Sequence, residues 1–320
     1  MVRKFDLIIR ILIKRIEKLP RKLREFLDSL LDFILVSRLW SEIQIRRAFN
    51  KSTHPLSFEL ARETGFSKFS TDKVLTERLI EFALRVKKQY LTGSTEKGNS
   101  KEYLRQIWDL SNLNEESKFV LEWAVETSNL KAISKYFGGK TPLLHEVSVF
   151  YSPESDANSN KNWEGSQLFH MDGGGTQCVK LWLLCQDVED EHGPTVVVSA
   201  SQSERIAKQI KYSPGSRIDS DHKLSQIEKL ETHKLTGKRG SWFATDTDRS
   251  FHYGSRTSEK SSRLVIMFHY VDNNSSYYVP ILSRHYRRQL KPLPIIAKEV
   301  ALGSRFAFES LKYRLKVKRL

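Results

Sequence analysis

His170 and Asp172 lie two positions apart in Gln167-Leu168-Phe169-His170-Met171-Asp172, the one His-x-Asp of the chain, and no His-x-Glu occurs. On an extended segment residues i and i+2 share a face, so both side chains can reach one ion. Alone the pair is weak evidence, because a surface His beside a turn Asp, at the start of Gly173-Gly174-Gly175, reads the same way. Downstream residues supply context. His252 stands in Arg249-Ser250-Phe251-His252-Tyr253-Gly254, between a predicted strand and a turn, and Arg263 opens the run Arg263-Leu264-Val265-Ile266-Met267-Phe268. Two His and one carboxylate on one face of a metal leave three positions open, the donor set of non-haem Fe(II) oxygenases. A bidentate 2-oxo acid fills two of them and O2 the third. The far carboxylate of that acid then needs a permanently charged, fork-shaped partner, and Arg263 can serve.

Such chemistry requires elements that bring residues 170–172, 252 and 263 together. From residue 71 to about 137 the pattern is helical. Ser70 or Thr71 can cap a helix carrying Val74, Leu75, Leu79, Phe82, Leu84 and Val86, and Gly93 can end it. Leu104, Ile107, Trp108 and Leu110, then Phe119 to Ala124, mark further helix closing at Gly138 and Gly139. After Pro142 the period becomes two. Val147 to Tyr151, Val179 to Leu184, Thr195 to Val198, Ser241 to Ala244 and Arg263 to Tyr270 read as short strands separated by turn-rich stretches. Without long intervening helices they predict an antiparallel barrel or jelly roll. One helical insertion starts near Ser201, where Ser201 and Glu204 have capping-box spacing.

The ordered set Tyr136-Phe137-Gly138-Gly139, Gln167 to Asp172, Trp182 to Asp187-Val188, and Gly193-Pro194-Thr195-Val196-Val197-Val198 resembles the phytanoyl-CoA dioxygenase family across roughly residues 70 to 271. That family joins a His-x-Asp to a distal His and, eleven residues later, an Arg that holds 2-oxoglutarate; here His252 plus eleven is Arg263. The resemblance implies an α+β chain whose core is a double-stranded β-helix (jelly-roll, cupin-like) with N-terminal and flanking helices. It also implies Fe(II) at His170, Asp172 and His252, with 2-oxoglutarate and O2 as cosubstrates. By the same resemblance Trp182 would sit near the cosubstrate. Two departures stand out. Met171 occupies a position where the family often has Gln, so one polar contact to 2-oxoglutarate is missing or replaced, and Ala200-Ser201-Gln202 replaces a Gly-Ser-His, read here as a turn and helix cap. Related iron halogenases lack the carboxylate; with Asp172 present, hydroxylation coupled to conversion of 2-oxoglutarate to succinate and CO2 is expected.

Among other polar residues, Ser255 and Thr245 can each donate to the 2-oxoglutarate carboxylate or serve as turn hydroxyls. His145, His192, His222, His233 and His269 lack partners at ligand spacing and read as non-ligating. The loops Ser152 to Gly165, with Trp163, and Tyr212 to Leu224 are lid candidates.

The chain has 320 residues and a net charge of +15. Residues 1–50 hold 12 basic and 6 acidic side chains, residues 281–320 hold 11 and 2, and residues 51–280 hold 30 of each. A neutral body between two basic arms argues against a nucleic-acid-binding domain, whose basic footprint should cover the folded surface. Three regions follow: a basic amphipathic segment 1–50, an oxygenase domain 51–280 and a basic extension 281–320. Phe5, Ile8, Ile9, Leu12, Ile16 and Leu19 recur at helical spacing with Arg and Lys on the other face. A helix within residues 1–45 either packs on the body or a second subunit, or lies on an anionic membrane surface. Charges interrupt both apolar stretches, so neither a secretory signal nor a spanning helix is expected. Cys178 and Cys185, seven apart on one strand, project from opposite faces and favour reduced thiols and a cytoplasmic location, with peripheral membrane contact as the alternative. The expected substrate is a small or lipid-like molecule. A nucleic-acid demethylase and a non-catalytic membrane-associated protein with the same fold are the competing readings.

Overall fold

The computed structural model describes residues 55–272, except 94–99, 141, 156–162, 174–176, 219–223 and 225–228. The amphipathic stretches of residues 1–50, the basic extension 281–320 and His222 lie outside the described residues. In chain order the elements are β1 (Phe66–Phe69), α1 (Lys73–Leu91), β2 (Ser100–Lys101), β3 (Leu104–Asp109), α2 (Lys118–Ala124), α3 (Thr127–Tyr136), β4 (Pro142–Ser152) and β5 (Cys178–Leu184). Then come β6 (Val196–Val198), α4 (Ala200–Gln209), β7 (Thr232–Lys234), β8 (Trp242–Thr245), β9 (His252–Tyr253) and β10 (Arg263–Asp272).

The strands form a seven-stranded sheet, β1-β8-β5-β10-β4-β3-β2, and a three-stranded sheet, β7-β6-β9, with every pairing among the described residues antiparallel. Isolated bridges from His170 to His252 and from Phe169 to Ile218 extend the small sheet. From β4 onward the chain alternates between sheets, entering the small one at 169–170, β6–β7 and β9 and returning to the large one at β5, β8 and β10. This alternation brings segments distant in sequence to one inter-sheet space.

Side-chain alternation gives the large sheet two unlike faces. Val147, Val149 and Tyr151 of β4, Val179, Leu181 and Leu183 of β5, and Leu264, Ile266, Phe268 and Tyr270 of β10 join Leu79, Ile80, Val120, Leu130 and Ile133 of the helices in the main core. Trp123 of α2 stacks on Trp242 of β8 with ring centroids 4.5 Å apart. Each large apolar side chain so buried contributes about 1.5–3 kcal/mol relative to exposure, and the sum fixes the sheet against its helical layer. The opposite face carries Glu146, Phe150, Lys180, Trp182, Arg263, Val265 and Met267, which border a cavity. The apolar half of each strand therefore secures the fold while the other half is available for chemistry.

Several local expectations are corrected. Leu104–Asp109 is a strand, not helix. The register of β3 against β4 shifts between Gln106 and Trp108, and this bulge places Leu104, Ile107 and Trp108 at three- and four-residue spacing that imitates a helix. Helix α1 is capped by Asp72, whose side chain accepts from the Leu75 N–H, rather than by Ser70 or Thr71. Helix α4 is capped by Ser199 rather than Ser201, and Glu204 pairs with Arg249 instead of closing a capping box. Strands β1, β7 and β9 carry no apolar or β-branched run to mark them. Both cysteines are buried free thiols, and among the described residues no helix is long and apolar enough to cross a membrane.

Candidate metal centre

His170 and His252 meet because the segment at 169–170 pairs with β9. The His170 N–H donates to the His252 carbonyl at 3.0 Å, and the His252 N–H donates to the His170 carbonyl at 2.9 Å. Directly opposed residues in an antiparallel bridge carry their side chains close together, and the two ring centroids are 4.1 Å apart. Asp172 follows on the same face, its N–H donating to the Thr247 carbonyl at 2.9 Å. One oxygen, Oδ1, lies 3.7 Å from His170 Nε2, and Oδ2 lies 3.8 Å from His252 Nε2. One ligand atom from each of the three residues falls within 4.8 Å of the others.

The protonation states suit a cation. His170 Nδ1 lies 2.8 Å from the Leu168 carbonyl and His252 Nδ1 lies 3.0 Å from the Ser250 carbonyl. A carbonyl accepts only, so each Nδ1 carries the proton and each Nε2 presents its lone pair toward Asp172. Burial, with His252 adjacent, pushes the His170 value down to about 2, and burial also lowers that of His252; both rings are neutral near pH 7. Burial alone would raise the Asp172 carboxyl, but the Lys180 ammonium brings it well below the usual carboxylate range. Two neutral imidazoles and an ionised carboxylate, converging and mostly buried, fit a divalent transition metal.

Arg263 lies in the same cavity at the start of β10, 4% exposed. Its Nη2 donates to Ser255 Oγ at 2.9 Å and its Nη1 to Thr195 Oγ1 at 3.3 Å. Among the described residues no carboxylate pairs with it, its Nε has no hydrogen-bond partner, and burial lowers its value to about 10. A buried guanidinium with hydroxyl partners is electrostatically incomplete, and a ligand carboxylate would complete it. Ser255 holds its position at φ 62°, a left-handed conformation uncommon for a residue with a side chain. Its N–H donates to the Gly193 carbonyl at 3.0 Å. A Cβ at Gly193 would meet the Arg256–Thr257 backbone at 2.6 Å, so this approach needs glycine.

Trp182 borders the cavity from β5, and its indole N–H donates to Thr245 Oγ1 at 2.9 Å. Thr245 thus orients the indole and is not among the cavity-lining residues. Met171 turns the other way, into a small core with Phe169, Ile206 and Phe251, so replacement of Gln at this position falls on the side facing away from the cavity. Of the lid candidates, the second is tied to the metal-site strand. Gly215 and Ile218 donate to the carbonyls of Met171 and Phe169, and the Tyr212 hydroxyl accepts from the Met171 N–H. A Cβ at Gly173 would strike the Gly215 backbone at 2.7 Å, which accounts for glycine after Asp172. From the first loop, Trp163 lies against the Arg256 guanidinium, which covers the Tyr253 ring at 3.5 Å.

Two of the other histidines, without partners at ligand spacing in the sequence, acquire them in space. His145 and His269, 124 residues apart in sequence, come together with Glu146 at a bulge of β4 against β10, with one ligand atom from each within 4.8 Å of the others. Strand register alone makes this cluster, and no spacing rule would find it. His192 closes a turn by accepting from the Glu189 N–H, and His233 packs on Phe66. Sequence reasoning also missed Lys180, Thr195 and Arg217, all of which border the cavity. For Lys180 a signal existed, as the one charge inside the apolar run Val179 to Leu184.

No protein-family profile and no curated protein matches the chain. Among solved structures it is similar to AviO1 from Streptomyces viridochromogenes Tue57, at 14% identity and a TM-score of 0.45 over 66% of this chain and 91% of that one. It is similar to SnoN, a non-heme alpha ketoglutarate dependent epimerase from nogalamycin biosynthesis, at 14% and 0.46 over 66% and 80%. A third is EctD from S. alaskensis, solved with 2-oxoglutarate and 5-hydroxyectoine, at 12% and 0.48 over 73% and 79%. These are likenesses of outline, and the chemistry proposed below rests on the residues of this chain.

Proposed function

We propose that this chain is an iron(II)- and 2-oxoglutarate-dependent oxygenase that hydroxylates a small molecule, with a double-stranded β-helix core like that of the phytanoyl-CoA dioxygenase family. The observation that carries this reading is the pairing, within one cavity, of a His170–Asp172–His252 donor set with a buried Arg263 that donates to the hydroxyls of Ser255 and Thr195. Bound iron would supply activation of O2 coupled to oxidation of 2-oxoglutarate to succinate and CO2.

The protein's part is positioning. His170, Asp172 and His252 would hold the metal. Arg263 takes the far carboxylate of 2-oxoglutarate, with Ser255 and Thr195 fixing the plane of its guanidinium. Trp182, Val265 and Met267 form the wall beside the cosubstrate and exclude water. Because Asp172 fills the third protein position, none is left there for halide, which favours hydroxylation over halogenation.

The cavity measures about 340 Å³, near the lower end of the roughly 300–1,000 Å³ of ligand sites. It must hold the cosubstrate as well, so the substrate is small or inserts only its reacting end. A screen of succinate release, with Fe(II) and 2-oxoglutarate, over acyl thioesters, amino acids and other small metabolites tests this reading. Substrate-dependent release is the expected result; folded protein that neither binds nor turns over 2-oxoglutarate would contradict it.

A further inference from the structure

We propose that Lys180 is a positioning residue for the metal centre, holding one oxygen of Asp172 so that the carboxylate offers the other to the metal; this rests on the ligand set proposed above. Lys180 lies on the cavity face of β5, and its Nζ is 2.6 Å from Asp172 Oδ2. Their side chains are 13% and 17% exposed. The pair is thus largely withdrawn from water, where a charge-assisted contact is stronger and its loss more costly than at a surface.

The geometry gives Lys180 a choice to enforce. Oδ1 faces the His170 ring and Oδ2 faces the His252 ring at nearly equal distances. Without a partner on one oxygen, the carboxylate can rotate and presents the metal no fixed donor. With Oδ2 held by the ammonium, Oδ1 remains as a single donor.

Lys180 is itself held in a polar row across the sheet. Its register partner on β10 is His269, whose partner on β4 is Glu146. Glu146 Oε1 accepts from Gln106 Nε2 at 3.1 Å and from Ser148 Oγ at 2.6 Å. Burial lowers His269 well below the ordinary range, with Lys180 and His145 adding to the effect, so a neutral ring lies between the ammonium and the Glu146 carboxylate. A lysine in an otherwise apolar strand is thus accounted for by its ion pair with Asp172 at the donor set.

The test is metal affinity of the full chain, measured by anaerobic Fe(II) titration and separately with Co(II), which needs no turnover. Lys180→Met, of similar length without charge, is expected to bind either metal about 10–100-fold more weakly, as when a partner of a metal ligand is lost. Its 2-oxoglutarate affinity at saturating metal is expected to stay within about three-fold, because Arg263 is intact. Lys180→Arg, which keeps the charge, should recover most of the metal affinity, and Lys180→Gln replaces the Met variant if that one does not fold. Wild-type affinity in Lys180→Met, or an equal loss in Lys180→Arg, would overturn the proposal. Failure of the wild-type protein to bind either metal would instead overturn the ligand set itself.

Discussion

Arg263 stands to gain most from a bound dicarboxylate, because it is buried and charged and donates to the Ser255 and Thr195 hydroxyls, with no carboxylate paired to it among the described residues. A hydrogen bond to a charged group is worth about 1.5–3 kcal/mol, so Arg263→Ala is expected to weaken 2-oxoglutarate binding by about 10- to 150-fold. Metal binding should be unchanged; calorimetry with each ligand separates the two. The buried histidines set a pH dependence. His170, His252 and His269 are neutral in the folded protein because burial lowers each of them. They take up protons on unfolding once the pH falls below about 6.5, so their contribution to stability is complete above that pH and declines below it. The slope is up to about 1.4 kcal/mol per pH unit for each ring. Asp172 acts in the same direction only further down, since its stabilisation is present above about pH 3.9 and is lost below. Denaturant unfolding of the metal-free protein should therefore show stability falling from pH 7 to 5. His252→Gln should show a slope shallower by about one ring. At this scale the sequence was informative where spacing carries chemistry: His170, Asp172, His252 and Arg263 all fall in one cavity. Thr195 and the Glu146–His269 pair depend on strand register, which no motif encodes, and Lys180 showed only as a charge within an apolar run.

Among the elements, the small β9 strand depends on the turn before it. Arg249 donates to both oxygens of Glu204 on α4, at 2.6 and 3.1 Å, to the Arg62 carbonyl at 2.7 Å and to the Tyr136 hydroxyl at 3.2 Å. Tyr136 in turn donates to the buried Asp246 at 2.6 Å. This network ties α3, α4 and the turn leading to His252. Arg249→Ala leaves Glu204 and Tyr136 without that partner and is expected to destabilise the fold by about 2–4 kcal/mol, discounted from a fully buried pair because Glu204 is partly exposed. It should also weaken metal binding through His252, whereas Arg249→Lys retains part of both; chemical denaturation and metal titration provide the measurements. Strands β4, β5, β6, β8 and β10 were legible as alternating, apolar or β-branched runs. Strand β3 was not, since its bulge imitates helical spacing, and the Ser199 cap was hidden by a second serine two residues later.

Across the whole molecule, charge and chemistry divide. Residues 51–280 are electrically balanced and contain every candidate site residue, while the surplus of +15 belongs to the arms. A basic residue near an anionic membrane contributes about 1 kcal/mol of attraction. If the first arm is a membrane contact, removal of residues 1–45 will reduce sedimentation with anionic vesicles and leave 2-oxoglutarate binding intact; equal sedimentation of both forms would contradict a membrane role for that segment. None of this alters the central claim, which concerns one cavity with two kinds of ligand. Anaerobic addition of Fe(II) and then 2-oxoglutarate to the full chain tests it most directly. A weak visible metal-to-ligand charge-transfer band is expected that requires both additions and is lost in Asp172→Ala and, at the same 2-oxoglutarate concentration, in Arg263→Ala. A folded wild-type protein that gives no such band at saturating concentrations would contradict it.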